Sequence, residues 1–127
     1  MKLKLYTLLI FGTSLVLFSC KTAEKMYQQG RYDEAVELAT KKLQKKPNDA
    51  KLTDILQNAY RFAVEDHESR IRNHSNSNTD LRWENIYREY LQLQRLYESI
   101  RRSPSVFDVV QPTDYSSYIS TYKEEAG

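Results

Sequence analysis

The chain opens with two lysines in Met1–Lys4 and then runs from Leu5 to Ser19 (LYTLLIFGTSLVLFS) without a single charge. A membrane-spanning helix needs ~20 apolar residues to cross a hydrocarbon core of ~30 Å, so this run is short for a span. Beyond Lys21 the apolar positions take a helical spacing. Ala35, Val36, Leu38, Ala39 and Leu43 fall on one face at i, i+3, i+4 and i+8. Gly30 interrupts a helical pattern that starts near Ala23. Arg31-Tyr32-Asp33 restarts it, with Asp33 suited to a helix N-terminus, and Pro47-Asn48-Asp49 closes it.

The next stripe is Leu52, Ile55, Leu56, Ala59, Tyr60 and Ala63, which predicts a helix from Ala50 to about Arg72. Asn73 to Thr79 is polar and predicts a solvent-facing loop. Trp83, Tyr87, Tyr90, Leu93, Tyr97 and Ile100 then recur every three or four residues. They predict a helix over 80–102, capped by Thr79 or Asp80 and stopped at Ser103-Pro104-Ser105. Residues 106–114 (VFDVVQPTD) lack that period, and with Pro112 they predict an extended connector or short strand. Tyr115, Ile119 and Tyr122 begin a last amphipathic stretch, 115–127, whose apolar face meets no later element. Three outcomes are open for it: packing back on the earlier helices, docking on another chain, or continuing into a longer protein. The fold class expected is all-α.

One hairpin carries a family likeness. GRYDEAVELATKKLQKKPND resembles the second half of a tetratricopeptide repeat, and Ala23–Tyr27 the end of its first helix. Gly30 stands at the turn between helices, Tyr32 is the packing aromatic, Ala35 and Ala39 are small contact positions, and Pro47 closes the unit. Lys42 replaces the usual alanine. The resemblance implies antiparallel helix hairpins stacked as a short α-solenoid, with one clear unit at about 21–49. Helices 50–73 and 80–102 would then be degenerate continuations. Ser69 occupies the place of the next small residue, and no glycine marks a second turn.

A length of 127 residues suits one domain, and three Gly and three Pro exclude collagen-like or low-complexity classes. The single cysteine, Cys20, excludes an internal disulfide. It follows a basic start and an apolar run, the layout of a secretory signal over residues 1–19. Leu17-Phe18-Ser19-Cys20 resembles the lipobox of bacterial lipoproteins. That resemblance implies cleavage between Ser19 and Cys20 and a covalent lipid on the Cys20 thiol, with no other cofactor. Two or three acyl chains hold a protein to a bilayer essentially permanently. Lys21 in place of an acid after the cysteine points, by the same resemblance, to an outer membrane and a periplasm-facing chain.

Removing residues 1–19 removes Lys2 and Lys4 and no acid, which leaves 17 basic and 17 acidic groups. Bulk charge therefore gives no support for binding nucleic acid. His67 and His74 lie seven apart on one helical face, and a metal site with Asp66 or Glu68 can be drawn. Zinc needs three or four converging ligands, so both are read as solvated histidines and no metal is expected. No phosphate loop or nucleophile motif is present, and no enzyme is expected.

Nine tyrosines remain after residue 19. Tyrosine brings apolar area and a polar handle to interfaces. Tyr87, Tyr90 and Tyr97 are read as packing; Tyr115, Tyr118 and Tyr122 are candidates for partner contact. The expected function is a noncatalytic scaffold or adaptor, tethered by Cys20, that binds another envelope protein. The alternative is a lipid-anchored binder of a small ligand or cell-wall glycan through the aromatic face. Self-association through the last helix is a third reading.

Overall fold

The computed structural model describes residues 22–127. The expected signal peptide, its cleavage site at Ser19 and the anchor at Cys20 lie outside the described residues. What is described is helical, in six elements: α1 (Ala23–Gln28), α2 (Tyr32–Lys45), α3 (Ala50–Ser75), α4 (Arg82–Arg101), α5 (Pro104–Val110) and α6 (Ser116–Ala126). The all-α class holds for these residues, among which there is no strand. None of these helices is long and apolar enough to cross a membrane.

The turn from α1 to α2 shows how the sequence sets local structure. Thr22 caps α1 by accepting the Lys25 N–H at 3.2 Å. At its other end Gly30 takes φ +77°, the left-handed region. There its N–H donates to the Tyr27 carbonyl and the Arg31 N–H to the Met26 carbonyl, which satisfies two orphan acceptors of the helix end. A Cβ on Gly30 would meet no atom within 4 Å. Gly30→Ala is therefore expected to cost only the backbone term, ~1 kcal/mol, read as a lower urea midpoint at unchanged slope. An unchanged midpoint would mean that the turn does not hold this conformation.

Consecutive helices pack on one another from α1 to α4, α6 packs on α4, and α1 also reaches α3 as α2 reaches α4. Small residues lie fully inside: Ala35 and Ala39 on α2 and Ala59 and Ala63 on α3 are at most 1% exposed. Around them Met26, Val36, Leu43, Leu56, Leu96, Ile100 and Val106 form the larger core. A smaller one joins Ile71, Ile86, Leu93 and Tyr115 under α6. The last helix thus packs back on the earlier ones.

Three expectations need correction. Residues 106–110 of the expected connector are helix, as part of Pro104–Val110. Pro104 sits at the first position, where its missing N–H is harmless. Val106 is buried, and Phe107 and Val110 pack beside it on the larger core. Seven residues make too short a helix for its period to stand out from a β-branched run. Gln111, at φ 50°, then turns the chain out of α5 ahead of Pro112. The third helix runs to Ser75, past Arg72. Finally, neither Thr79 nor Asp80 caps α4. Leu81 occupies the cap without a side-chain bond, while the Thr79 carbonyl accepts the Arg82 N–H.

Candidate functional site

Asp33 stands in the first turn of α2, where its charge suits the helix dipole, and its carboxylate turns inward. Its Oδ2 lies 2.7 Å from Nε2 of His67 on α3, and the other ring nitrogen, Nδ1, lies 2.5 Å from Oε2 of Glu89 on α4. His67 is 1% exposed, so the solvated reading of this histidine is wrong. Two carboxylates on opposite ring nitrogens are both satisfied only when each nitrogen carries a proton, as in the imidazolium. Burial opposes that charge, but hydrogen bonds and attraction from Asp33 and Glu89 outweigh it and raise the His67 pKa above its ordinary value. Arg70 also holds Glu89, through Nε at 3.0 Å, and its Nη2 lies 3.0 Å from His67 Nδ1. Glu89 offsets that approach of like charges. With both nitrogens engaged, His67 offers no free lone pair to a metal or a proton donor. It is a three-helix clasp.

Above this clasp, α2 and α4 bound an open groove. One stretch of about 780 Å³ is lined by Met26, Glu34, Glu37, Leu38, Arg95 and Arg102 among others. The adjoining stretch, about 390 Å³, shares Glu34, Glu37 and Arg95 and adds Asp33, Arg88 and Leu91. The α2 wall is thus acidic on balance, with Lys41 among its lining, and the α4 wall basic. No ion pair crosses between them among the described residues: Glu34 pairs with Arg31 and Arg88 with Glu84, each on its own side. Leu91, 40% exposed, adds apolar surface to the α4 wall.

The aromatic surface lies between α4 and α6. Tyr90 stacks on Tyr118 with centroids 5.0 Å apart and on Tyr122 at 5.3 Å, and tilts against Tyr115 at 5.9 Å. Trp83 meets Tyr122, and the Arg82 guanidinium lies 4.5 Å from the Trp83 ring. Of the three candidate contact tyrosines, Tyr115 is buried, Tyr122 is half-buried and Tyr118 is 48% exposed. Burial, with nearby tyrosines and Glu68, pushes the Tyr115 hydroxyl up to about 12. Gln94 fastens the start of α6: its Oε1 accepts the Tyr115 N–H at 2.7 Å and its Nε2 donates to Asp114 at 3.1 Å. Thr113 donates its N–H to the Tyr60 hydroxyl at 3.1 Å, which ties this connector to α3.

The hairpin positions behave as packing residues of unequal depth. Tyr32 stacks on Phe62 at 5.2 Å, Ala35 and Ala39 are fully buried, Gly30 makes the turn and Pro47 is exposed beyond α2. The clasp was missed because a lone histidine in a charged stretch (Glu65-Asp66-His67-Glu68) reads as solvated. The available signal was register: His67 falls four residues after Ala63 and four before Ile71, both on the buried face. Compared with known protein families, characterised proteins and solved structures, the chain matches none.

Proposed function

We propose that the chain is a noncatalytic bacterial envelope lipoprotein. A lipid on Cys20 tethers it, facing the periplasm from an outer membrane, and its tetratricopeptide-like hairpins serve as a scaffold for another envelope protein. The observation that carries the scaffold reading is the α2–α4 groove, where guanidiniums stand opposite carboxylates they do not pair with and Leu38 and Leu91 add apolar surface. A surface with apolar anchors and charges of both signs, and no enclosed cavity, suits a protein segment better than a small molecule. The Gly30 turn and the buried Ala35 and Ala39 support the repeat-like reading of the first hairpin. The aromatic face supports the glycan reading less well. Tyr90 stacks on both Tyr118 and Tyr122, so its ring is taken up within the chain, and Tyr118, though 48% exposed, has one face already engaged.

The test is to purify the tagged protein from detergent-solubilised envelopes beside its Arg95→Glu variant. A stoichiometric envelope protein should travel with the wild type and fall at least tenfold with the variant at unchanged helicity. A wild type that emerges alone, at monomer mass even after mild crosslinking, would sink the scaffold reading.

A further inference from the structure

Over residues 20–127 the charges balance, 17 basic against 17 acidic, but their distribution is polarised. Of the eight lysines after residue 20, seven lie between Lys21 and Lys51, and the eighth is Lys123. Four of the seven gather round one cleft of about 440 Å³, where the start of α1, the end of α2 and the start of α3 meet. Its apolar lining is Ala23, Leu52 and Ile55, and Lys42, Lys45, Lys46 and Lys51 stand round it. Two acids share the site, and both are engaged. Glu24 pairs with Lys51 at 3.2 Å, and Asp49 Oδ1 accepts the Leu52 N–H that opens α3. Among the described residues Lys42, Lys45 and Lys46 make no ion pair, so the cleft carries a surplus of positive charge.

Helix stability accounts for part of this pattern only. Lys42 and Lys45 lie in the last turn of α2, where cations favour the dipole. Lys51 lies in the first turn of α3, which holds no acid and where a cation opposes the dipole. The cleft's wall begins at Thr22. Cys20 is joined to Thr22 through Lys21 alone, a covalent reach of ~7 Å between Cα atoms.

We infer that the lysine-rimmed cleft seats on anionic phospholipid headgroups of the bilayer that holds the acyl chains. The lysines meet the phosphates, and Leu52 and Ile55 face the upper acyl region. This rests on the lipoprotein reading for its geometry, and it adds a second, electrostatic contact that sets how the tethered domain lies on the membrane. Two signals together, lipid chains and a basic patch, give firmer and better oriented anchoring than chains alone.

The experiment uses the full-length protein reconstituted from detergent into vesicles of phosphatidylcholine, with or without one-third phosphatidylglycerol. Lysine acylation rates are read by peptide mass spectrometry. Lys123, on α6 and outside the cleft, serves as the internal reference. With the anionic lipid, Lys42, Lys45, Lys46 and Lys51 should label at least threefold more slowly relative to Lys123, and 0.5 M salt should abolish that protection. Equal rates in the two vesicles overturn the inference, and so does protection in both that salt does not relieve, which would mean that another copy or another protein covers the cleft. The same spectra weigh the Cys20 peptide. A peptide without acyl mass would remove the tether while leaving the headgroup footprint to be read on its own.

Discussion

His67→Ala is expected to lower stability by about 3 kcal/mol, at the lower end for breaking a buried charge pair because Asp33 remains partly exposed. The substitution removes the group that, among the described residues, ties α2 and α4 to α3 through its two ring nitrogens, and it leaves two carboxylates facing a cavity between helices. For a domain of this size, thermal unfolding should fall on the order of 10–15 °C. Urea unfolding followed by circular dichroism measures the same loss. A change under about 0.5 kcal/mol would show that the clasp contributes no more than an ordinary surface pair.

The clasp also gives stability a pH dependence of definite sign. The folded-state pKa of His67 is raised above the 6.5 of an unperturbed histidine. Its contribution is therefore complete below about pH 6.5, where folded and unfolded chains both hold the proton. It declines as pH rises from there through the folded pKa, because the unfolded chain gives up its proton first. Wild-type melting temperature should drop between pH 6 and pH 9, and His67→Gln should flatten that drop. Parallel pH profiles for the two proteins would exclude His67 as its source.

Tyr90→Ala should have the second large effect, with a different spatial pattern. Tyr90 is the common partner of Tyr115, Tyr118 and Tyr122, so its ring is the chief aromatic link between α4 and α6. Removing a half-buried aromatic of this kind costs about 2–4 kcal/mol. Tyr115 still packs in the smaller core, and the Gln94 clasp of the α6 start remains. The loss should therefore fall mainly on α6. Amide exchange over 116–126 should speed up at least tenfold, while the α2–α3 hairpin exchanges as before. Uniform acceleration along the chain would contradict the division into a main core and a smaller one under α6.

Much of this architecture was legible because several helices announce themselves twice, by period and by punctuation. Gly30 and Pro47 bracket α2, and the small residues Ala35 and Ala39 mark its buried face. The failures lie where one of these signals is missing. In α5 the apolar set is three valines and Phe107 over two turns, too few to reveal a period of 3.6. At Thr79 and Asp80 good capping residues are present, yet α4 begins after Leu81, since the chain must first complete the turn in which Arg82 bonds Thr79. His67 was misplaced for a third reason. Its partners are 34 and 22 residues away, and no local pattern reports that two distant carboxylates will meet one ring. The aromatic surface was half legible: spacing places Tyr115, Tyr118 and Tyr122 near one another, but only packing decides that Tyr115 goes inside and Tyr118 stays out.

The length of α3 has a consequence for reach. Its first residues line the lysine cleft, and its 26 residues rise ~39 Å before the chain turns at 76–81. With the cleft on the bilayer and α3 upright, that turn would stand nearly four nanometres above the lipid. A helix lying flat would keep the same turn at headgroup level. On the headgroup-seating proposal, the tilt of this one rod therefore sets the height at which the far end of the domain stands from the lipid.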